Sequence, residues 1–515
     1  MDGTNFTGAG VGTLTLDLTP ALQLAFPDVP PRGDKLILPH TPSTTIVLRT
    51  MGYEVPASIR TTYDWCGGRP FDIQVRTCEL LTENPRSYAL NSMGTGKTRC
   101  ALWSFDYLQK LGHVRKALIV CPLSTMTFTW GHEIMKATPH LRWSVLYGTA
   151  DKRRALLDDK AIDVYIINHD GVKILAKELI QRIDIDVIVL DELAVYRNNT
   201  KRTRTIQKIC NVKPVVWGMT GSPMPNAVTD VYQEIKCVTP NAVPRHFGPF
   251  RDELMYRVSQ FKWVNKPGAI AKAFAYFQPA CRYTLDDITE LPPAYVPPPQ
   301  MTAMDGMQQK IYTDIRKFAS AMVMNKEINA MNAGVVMGKL LQISCGWLYD
   351  GKHVAHEIGG DARLHALYDI IDGAAGKTIV FVNYIHALNG VVSFLKLKGL
   401  TPHKVDGTVG HQQRTAIFNT FQNTDDRSPL VVYPKCISHG LTLTAADTAV
   451  WFGPPLSAET YDQCNARIRR VGQTRRQLFV HLCSTPIEKR VYNLLTSRLL
   501  QQDSFLRLLE DASWD

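Results

Sequence analysis

Residues 91–100 read NSMGTGKTRC, a short run that places glycines beside a lysine and a threonine. Gly94 and Gly96 let the backbone turn tightly and approach a ligand without a Cβ clash. Such a turn at the start of a helix presents successive backbone N–H groups to an anion. The run therefore predicts a loop that binds the phosphates of a nucleotide, built from Gly94, Thr95, Gly96, Lys97 and Thr98.

Two side chains of this loop have separate predicted roles. Lys97 is placed for the β- and γ-phosphates, and Thr98 is placed for Mg²⁺. Asn91 stands where the usual eight-residue pattern has its first glycine. Because a pattern this short can match by chance in 515 residues, the prediction needs support from elsewhere in the chain.

Apolar runs with the composition of buried strands recur around the loop and alternate with helix-like stretches. They read SYAL at 87–90, KALIVCP at 116–122, DVYIINH at 163–169, DVIVLDE at 186–192 and PVVWGMT at 214–220. The alternation returns later with KTIVFVN at 377–383, PLVVYP at 429–434, AVWFG at 449–453 and LFVHLC at 478–483. Strands that alternate with helices indicate a parallel sheet covered on both faces.

We therefore predict an α/β fold with two tandem parallel-sheet domains and a mainly helical insertion between them. A length of 515 residues is too great for one hydrophobic core. The predicted segments are an accessory segment at 1–60, an ATP-binding domain at 61–235, a helical insertion and linker at 236–360, a second domain at 361–490 and a C-terminal helix at 491–515. That helix is expected to begin near residue 486 and to run to about residue 511.

A pair of carboxylates ends the apolar run DVIVLDELAVYRN at 186–198. Asp191 can hold Mg²⁺ through its water shell, and Glu192 can accept a proton from an attacking water. The alternative is an acidic pair at an ordinary strand end. The phosphate loop earlier in the same domain favours the catalytic interpretation.

The run QCNARIRRVGQ at 463–473 carries candidates for a third catalytic element. Gln463, Arg467 and Arg470 are spaced by four and then three residues, which predicts one helical face. Arginines held in a different domain from Lys97 can act as arginine fingers, which supply positive charge to the γ-phosphate. The alternative is a basic helix face exposed to solvent.

The composition limits the class of protein. Lysine and arginine number 58 against 47 acidic residues, for a net charge of +11, which is compatible with a polyanionic partner. The 11 cysteines include no Cys-x-x-Cys pair, which argues against zinc ribbons and favours a reducing compartment. We find no secretory signal and no apolar run long enough to span a membrane, so we predict a cytoplasmic protein.

The order of these motifs resembles that of superfamily two helicase-like ATPases, and within them the Swi/Snf-type DNA translocases. The resemblance runs from about residue 70 to 490. PFDIQ, which ends at Gln74, resembles the family's adenine-sensing motif, and LIVCPLSTMTFTWGHEI at 118–134 matches its pattern at Pro122, Ser124, Trp130 and Glu133. GMTGSPMPN contains Thr220, Gly221 and Ser222 at the place of the third motif, and the Arg-x-Gly-Gln ending of the sixth motif is a family hallmark.

The resemblance implies two RecA-like domains that use ATP and Mg²⁺. The implied nucleotide-binding residues are Gln74, Gly94, Thr95, Gly96, Lys97, Thr98 and Gln463, and the implied catalytic residues are Lys97, Asp191, Glu192, Arg467 and Arg470. Thr98 and Asp191 are the implied metal ligands. The implied contacts with the DNA backbone are Ser124, Thr125, Gly148, Thr149, Asn168, Asn383, Gly440 and Thr442.

Three departures from the family pattern are visible. Ala194 stands where many relatives carry a histidine that couples hydrolysis to the third motif, and Thr442 stands where relatives often carry asparagine. PLSAETYDQ replaces the usual lead into the sixth motif. These variants resemble the compact members encoded by bacteriophages, for which the compartment would be the host bacterial cytosol.

The predicted function is an ATP-dependent double-stranded DNA translocase that tracks on phosphates and remodels or anneals branched DNA. A monomer that works with replication or recombination proteins is expected. Two alternatives stay open: a strand-separating helicase acting on DNA or RNA, and a non-hydrolysing, ATP-gated module that binds DNA or a protein. Asn91 and Ala194 are the residues that favour the second alternative.

Overall fold

The computed structural model describes residues 12–224, 227–259, 263–288, 291–324, 330–349, 354–437, 442–470 and 472–497. It forms two compact units, Met1–Ile288 and Thr289–Asp515. The segment predicted as a helical insertion, 236–360, is divided between these units.

The strands of the first unit include the apolar runs predicted from the sequence. They are β1 (Thr13–Asp17), β2 (Lys35–Pro39), β3 (Arg86–Ala89), β4 (Lys116–Cys121), β5 (Trp143–Val145), β6 (Val164–Asn168), β7 (Ile185–Asp191), β8 (Val215–Met219), β9 (Met255–Arg257), β10 (Trp263–Asn265) and β11 (Ala280–Cys281). The main sheet has the order β11-β3-β8-β7-β4-β6-β5, and all of its pairs are parallel.

Helices cover both faces of this sheet. They are α1 (Pro20–Ala25), α2 (Pro42–Thr50), α3 (Ser58–Thr62), α4 (Asp72–Glu83), α5 (Lys97–Lys110), α6 (His132–Ala137), α7 (Ala150–Asp158), α8 (Ala176–Gln181), α9 (Lys201–Asn211), α10 (Val231–Val238), α11 (Phe247–Leu254) and α12 (Ala269–Ala275). Several begin after a threonine whose hydroxyl accepts a bond from a backbone N–H of the first turn, which satisfies a donor that the helix itself cannot. These caps are Thr19, Thr41, Thr149 and Thr200.

The central strand β7 explains why the sheet forms as it does. Its side chains alternate between two separate hydrophobic cores, with Ile188 and Leu190 in one and Val187 and Val189 in the other. Each of these side chains is at most 2% exposed. Because complete burial of a side chain of this size contributes about 1.5–3 kcal/mol, a strand with no polar face is stable only where both of its faces are covered.

The described part of the accessory segment forms a small body of its own within the first unit. β1 and β2 pair in antiparallel fashion over a cluster that includes Leu36, Leu38 and Leu48. Arg49 joins this cluster to the end of α4, because its guanidinium donates to Glu83 at 2.9 Å and to the carbonyl of Val55 at 2.8 Å.

The second unit repeats the parallel-sheet architecture. Its strands are β12 (Ala294–Tyr295), β13 (Gln300–Met301), β14 (Trp347–Tyr349), β15 (Ala355–Glu357), β16 (Lys377–Phe381), β17 (His403–Val405), β18 (Leu430–Val432), β19 (Ala446–Trp451) and β20 (Gln477–Cys483). The order β12-β20-β19-β16-β18-β17 is parallel throughout, and β13 also pairs with β20. The prediction of two parallel-sheet domains is therefore confirmed.

The helices of the second unit are α13 (Gly306–Met324), α14 (Ala330–Ser344), α15 (Asp361–Asp372), α16 (Ile385–Leu397), α17 (His411–Asn423), α18 (Ala458–Ile468) and α19 (Pro486–Thr496). The C-terminal helix predicted for residues 486–511 begins as expected, but α19 ends at Thr496, and residues 498–515 lie outside the described part of the chain. No described helix has the length and apolar character that crossing a membrane requires.

A buried ion pair fastens the start of α15 to the start of α19 in the second unit. Arg363 and Glu488 are fully buried, and the guanidinium donates to both carboxylate oxygens at 2.8 Å. Further bonds join the two terminal nitrogens of Arg363 to the Phe452 carbonyl (2.8 Å) and to Ser484 Oγ (2.9 Å), while its Nε has no partner among the described residues. Such additional bonds offset the cost of removing two charges from water.

His481 makes the stability of the second unit depend on pH. This side chain is 1% exposed in β20, its Nε2 lies 2.9 Å from the Tyr461 hydroxyl, and burial lowers its pKa to about 4. The unfolded chain takes up the proton near pH 6.5, whereas the folded chain does not until about pH 4. Stability contributed by neutral His481 is therefore complete above pH 6.5 and is lost as the pH falls to 4.

We predict that this group alone removes on the order of 3 kcal/mol between pH 6.5 and pH 4, at 1.36 kcal/mol for each unit of pKa difference. Calorimetric unfolding across this range should show a steeper decline for the wild type than for His481→Gln, which keeps a partner for Tyr461. The exposed His365 provides a control, since His365→Gln should follow the wild type. Identical slopes for His481→Gln and the wild type would contradict the assignment.

Candidate active site

The predicted functional residues of the first unit lie at one edge of its sheet, because parallel strands all end at the same edge. The phosphate loop follows β3, Thr220 follows β8, and the carboxylate pair ends β7, and these three strands are neighbours. The predicted DNA contacts follow β4, β6 and β5, which continue the same sheet. The predicted nucleotide residues thus occupy one part of the edge, called the nucleotide half below, and the predicted DNA contacts occupy the other, called the DNA half. The two halves meet where β7 pairs with β4.

The phosphate loop has the backbone geometry that its glycines predict. Gly94 and Gly96 have φ angles of 85° and 88°, in the left-handed region that favours glycine. Helix α5 begins directly at Lys97, so its N-terminus opens onto the loop. Lys97 Nζ donates to the carbonyls of Asn91 at 2.7 Å and Ser92 at 3.0 Å, which holds the ammonium group over the turn.

Gln74 holds the loop from α4. Its Nε2 donates to the Thr95 carbonyl at 3.0 Å, and its Oε1 accepts from the Phe71 N–H at 3.1 Å. A Cβ atom on residue 96 would lie 2.2 Å from Gln74 Nε2 and would displace the amide that holds the loop, and the positive φ angle independently favours glycine. Gln74 therefore supports the loop, and its contact with adenine stays a prediction.

Asn91 has a structural reason to replace the usual glycine. Its buried amide donates to Thr77 Oγ1 at 2.9 Å and accepts from the Tyr283 N–H at 3.0 Å. The N–H of Ser92 donates in turn to the Tyr283 carbonyl at 2.7 Å. Cys281 Sγ also lies 3.6 Å from Asn91 Oδ1, and burial raises the pKa of this thiol to about 12, which keeps it protonated as a donor. The loop is thus tied to α4 and to the segment that follows β11.

The carboxylate pair has an unusual backbone. Glu192 has a φ of 56°, and among the described residues it is the one non-glycine residue with positive φ. Backbone conformations of this kind are costly for side chains other than glycine and cluster at functional sites. The conformation turns the chain sharply after β7 into the short helix Leu193–Tyr196. The side chain of Asp191, one residue earlier, accepts a hydrogen bond from Trp130 Nε1 at 2.9 Å.

The residues present fit magnesium better than a metal held entirely by protein. Among the described residues no group of three or more His, Cys, Asp and Glu side chains could enclose an ion. Mg²⁺ usually keeps several waters and binds through one or two protein oxygens together with substrate phosphates. Asp191 at the end of β7 and Thr98 at the start of α5 are the residues that would bind Mg²⁺ in this way.

The turn after β4 presents one of its two predicted DNA contacts to solvent. Ser124 is exposed, whereas Thr125 is 7% exposed and its hydroxyl donates to the Pro122 carbonyl at 2.9 Å. The hydroxyl of Thr125 therefore shapes the turn, and Ser124 is the side chain available to a phosphate.

Arg153 brings three other predicted DNA contacts together. Its guanidinium donates to the carbonyls of Leu146 at 2.6 Å and Gly148 at 2.9 Å, and to Asn168 Oδ1 at 3.3 Å. Thr149 caps α7, and Gly148 has a φ of 112°. Gly148, Thr149 and Asn168 therefore form one braced surface at the ends of β5 and β6.

The second unit corrects the expectation that Gln463, Arg467 and Arg470 share one helical face. Helix α18 ends at Ile468, so Gln463 and Arg467 lie on it and Arg470 lies beyond its end. Gln473 holds the turn that contains Arg470, because its Nε2 donates to the carbonyls of Ala446 at 2.9 Å and Ile468 at 3.2 Å. The glutamine of the Arg-x-Gly-Gln ending thus closes the helix.

The structure brings some predicted residues of the second unit together and separates others. The Leu443 N–H donates to the Arg467 carbonyl at 2.9 Å, which places Thr442 close to Arg467 before β19 begins. Asn383 follows the end of β16, at the opposite edge of the sheet, and donates to the Gly453 carbonyl at 2.7 Å. Gly440, the remaining predicted contact, lies outside the described residues.

Two family patterns match the chain and cover the elements just described. The pattern of the SNF2-related domain matches residues 89–345, and that of the helicase conserved C-terminal domain matches residues 362–472. The chain belongs to the SNF2-related helicase-like ATPases. The first match contains the phosphate loop and the carboxylate pair, and the second contains Arg467 and Arg470, so the predicted family and enzyme class are confirmed.

Relatives of this SNF2-related chain occur in viruses and in animals. The putative protein p41 of Acyrthosiphon pisum secondary endosymbiont phage 1 is 24% identical over 466 residues, which cover 84% of this chain and 96% of that protein. Chromodomain-helicase-DNA-binding protein 1-like of Mus musculus is 22% identical over 432 residues, which cover 79% of this chain but 46% of the mouse protein. The chain therefore spans less than half the length of the mouse relative.

A solved structure is also similar to the SNF2-related chain. The Sulfolobus solfataricus SWI2/SNF2 ATPase core in complex with dsDNA is 18% identical, with 87% of this chain and 96% of that one covered, at a TM-score of 0.41.

Sequence reasoning missed the residues that support the predicted site. Arg153 follows Thr149 by four residues, so a helical turn after the cap could have indicated it. The contacts of Asn91 with Tyr283 and of Trp130 with Asp191 join positions 192 and 61 residues apart, and no local pattern predicts such pairs.

We predict that Asn91→Ala weakens nucleotide binding, because it removes the buried bond to Thr77 and the acceptor of the Tyr283 N–H, and so loosens the loop. Loss of one partner from a buried polar pair costs about 1–3 kcal/mol. If about 1.4 kcal/mol of that cost is lost from nucleotide binding, titration of a fluorescent ATP analogue should show a dissociation constant about 10-fold higher than that of the wild type. Asn211→Ala, at an exposed position on α9, is the control. Equal affinities for both variants would contradict the supporting role of Asn91.

Proposed function

We propose that this SNF2-related chain is an ATP-dependent motor that moves along double-stranded DNA by its phosphate backbone and remodels or anneals branched DNA. The observation that carries the proposal is the division of the first sheet's carboxyl edge. The nucleotide motifs follow β3, β8 and β7, and the predicted DNA contacts follow β4, β6 and β5. One rigid sheet thereby joins the two activities that a motor must combine.

The nucleotide half supports ATP hydrolysis. Lys97 would neutralise the β- and γ-phosphate oxygens, and Thr98 and Asp191 would hold Mg²⁺, which supplies further positive charge when bound. Glu192 would accept the proton of the attacking water. The positive φ of Glu192 supports this role, because it turns that carboxylate away from the direction a regular strand would give it.

Arg467 and Arg470 are assigned the role of arginine fingers, supplied by the second unit. In phosphoryl transfer, negative charge spreads over the γ-phosphate oxygens, and a guanidinium brought to them lowers the barrier. The placement of Arg470 in a turn held by Gln473, rather than on the helix, favours a fixed position for this side chain. A finger that depends on the second unit would make hydrolysis require motion of one unit relative to the other, which is the step that a motor uses.

The DNA half supports contact with phosphates rather than with bases. Ser124 and the Gly148–Thr149 turn offer a hydroxyl and backbone groups, which bind phosphate oxygens and carry no sequence information. The net charge of +11 favours the same polyanion. The mouse relative is named a DNA-binding protein, which agrees with this assignment.

The phage relative supports a role in a bacterial host. Because that protein is matched over 96% of its length, we place the chain in the host cytosol with replication or recombination proteins as partners. A monomer is sufficient for the mechanism, since both catalytic halves lie on one chain.

The two alternative functions make different demands. A strand-separating helicase would unwind a forked DNA duplex or an RNA duplex, whereas a translocase would move along a duplex without separating its strands. A non-hydrolysing module would bind ATP without turnover. Asn91, which first favoured the module, is explained by its contacts with Thr77 and Tyr283 and no longer supports it.

We predict that double-stranded DNA stimulates ATP hydrolysis and that the stimulation falls steeply with salt, because counterions are released when phosphates are bound. Turnover should be measured with double-stranded, single-stranded and forked DNA and with RNA. Lys97→Ala, Glu192→Gln and Arg470→Ala should each abolish turnover.

The control for these variants is Arg204→Ala, on the exposed face of α9, which should hydrolyse ATP as the wild type does. Equal turnover with and without DNA would rule out the translocase. Full activity of Arg470→Ala would remove the second unit from the catalytic step, and a preference for RNA would favour the helicase alternative.

A further inference from the structure

The segment between β4 and α6 connects the two halves of the edge. It begins with the short helix Leu123–Thr125, continues as the π-helix Met126–Gly131 and passes into α6 without a break. π-helical turns are rare and occur frequently at functional sites. The segment starts in the DNA half, and it lies beside β7, because β4 pairs with that strand.

Trp130 of this segment and Glu133 at the start of α6 both reach the nucleotide half. Trp130, which is fully buried, donates its indole N–H to Asp191 Oδ2 at 2.9 Å. Glu133 accepts a short hydrogen bond from the guanidinium of Arg99, two residues after Lys97 on α5. The segment is therefore attached both to the predicted metal carboxylate and to the helix that carries the phosphate lysine.

The opposite end of the segment is open to solvent. Ser124 and Leu123 are exposed, and Leu123 is 54% exposed. The turn is held by the Thr125 N–H and hydroxyl, which both donate to the Pro122 carbonyl, at 3.0 and 2.9 Å. A ligand that fixes the position of Ser124 would therefore also fix the hydrogen-bonded turn and the start of the π-helix.

The residue two positions after Glu192 offers no polar side chain to the carboxylate pair. Residue 194 follows the carboxylate pair, and its alanine methyl can neither donate nor accept a hydrogen bond. Ala194 is 8% exposed, so the position is buried as well as apolar. Trp130 makes the polar contact with Asp191 from the other side, through the π-helix.

We propose that Trp130 is a positioning residue that couples DNA contact at the Leu123–Thr125 turn to the carboxylate of Asp191. This inference rests on the proposed function, since it names the residue through which DNA regulates the nucleotide site. A DNA phosphate bound at Ser124 fixes the turn, the π-helix fixes the indole, and the indole N–H fixes Asp191 in the rotamer that holds the metal. Hydrogen bonds to a metal-binding carboxylate tune the site, and their loss costs roughly 10–100-fold in metal affinity or activity.

The proposal has a consequence for binding that does not depend on turnover. If DNA and nucleotide act on each other through Trp130, DNA must tighten nucleotide binding by the same factor by which nucleotide tightens DNA binding. Removal of the indole N–H should bring that factor to one and leave the affinity for DNA alone unchanged.

The test compares the wild type with Trp130→Phe. The affinity for a fluorescent ATP analogue with Mg²⁺ is measured with and without duplex DNA, and basal and DNA-stimulated turnover are measured beside it. We expect the variant to bind DNA alone as the wild type does, to lose the mutual enhancement and to lose roughly 10-fold or more in stimulated turnover, while basal turnover falls less.

Trp217→Phe is the matched control. Trp217 is also fully buried in the same sheet, on β8, and its Nε1 has no hydrogen-bond partner among the described residues. This variant removes a similar volume without removing a bond, so it should keep both the enhancement and the stimulation.

Three outcomes would overturn the proposal. Trp130→Phe could keep full DNA stimulation, it could keep the mutual enhancement of binding, or it could lose basal and stimulated turnover by the same factor, which would indicate a local effect on Asp191 alone. A wild type without DNA stimulation is a different result, because it removes the proposed function together with the coupling. If Trp130→Phe does not fold, site-specific 3-benzothienylalanine at position 130 keeps the shape of the ring and lacks the N–H, and the same expectations apply to it.

Discussion

Burial of β7 on both faces is the constraint from which the arrangement of the first unit follows. The side chains of β7 from Val187 to Leu190 are all apolar and leave no face for water, so helices must cover the strand on each side, and its polar residues stand near its ends. Asp191 stands at the carboxyl end, and Glu192 directly follows it. Because neighbouring strands run parallel to β7, their ends collect at the same edge, and the loop after each of them can contribute to one site.

The order of the strands then decides which functions can communicate. β7 lies between β8 and β4, so its end is next to both the nucleotide half and the DNA half. The bond from Trp130 to Asp191 crosses that boundary and is short enough, at 2.9 Å, to hold the carboxylate in one orientation. The supporting contacts of Gln74, Asn91 and Arg153 serve the same purpose on either side, because each fixes a loop that backbone hydrogen bonds alone would leave loosely held.

Much of this arrangement could be predicted from the sequence, and the reason is local. Apolar β-rich runs followed by a glycine loop or a carboxylate pair specify a strand and the chemistry at its end, so the phosphate loop and Asp191 were correctly placed on their elements. Gln463 and Arg467 lie on one helix, as their spacing predicts, but Arg470 lies beyond the end of that helix. Gln473 closes α18 through bonds to the carbonyls of Ile468 and Ala446, and residue spacing alone cannot predict those bonds. The contacts of Asn91 with Tyr283 and of Trp130 with Asp191 could not be predicted for the same reason. Each joins residues that are far apart in the chain, and only the strand order brings them together.

The central claim is that ATP hydrolysis drives movement along duplex DNA, and displacement of a third DNA strand tests it most directly. A labelled triplex-forming strand bound to a duplex should be released in the presence of the wild type and ATP, at a rate that falls with distance from the loading end. Glu192→Gln should bind the same duplex and release nothing. Failure of the wild type to release the third strand while it hydrolyses ATP on the same DNA would contradict the account.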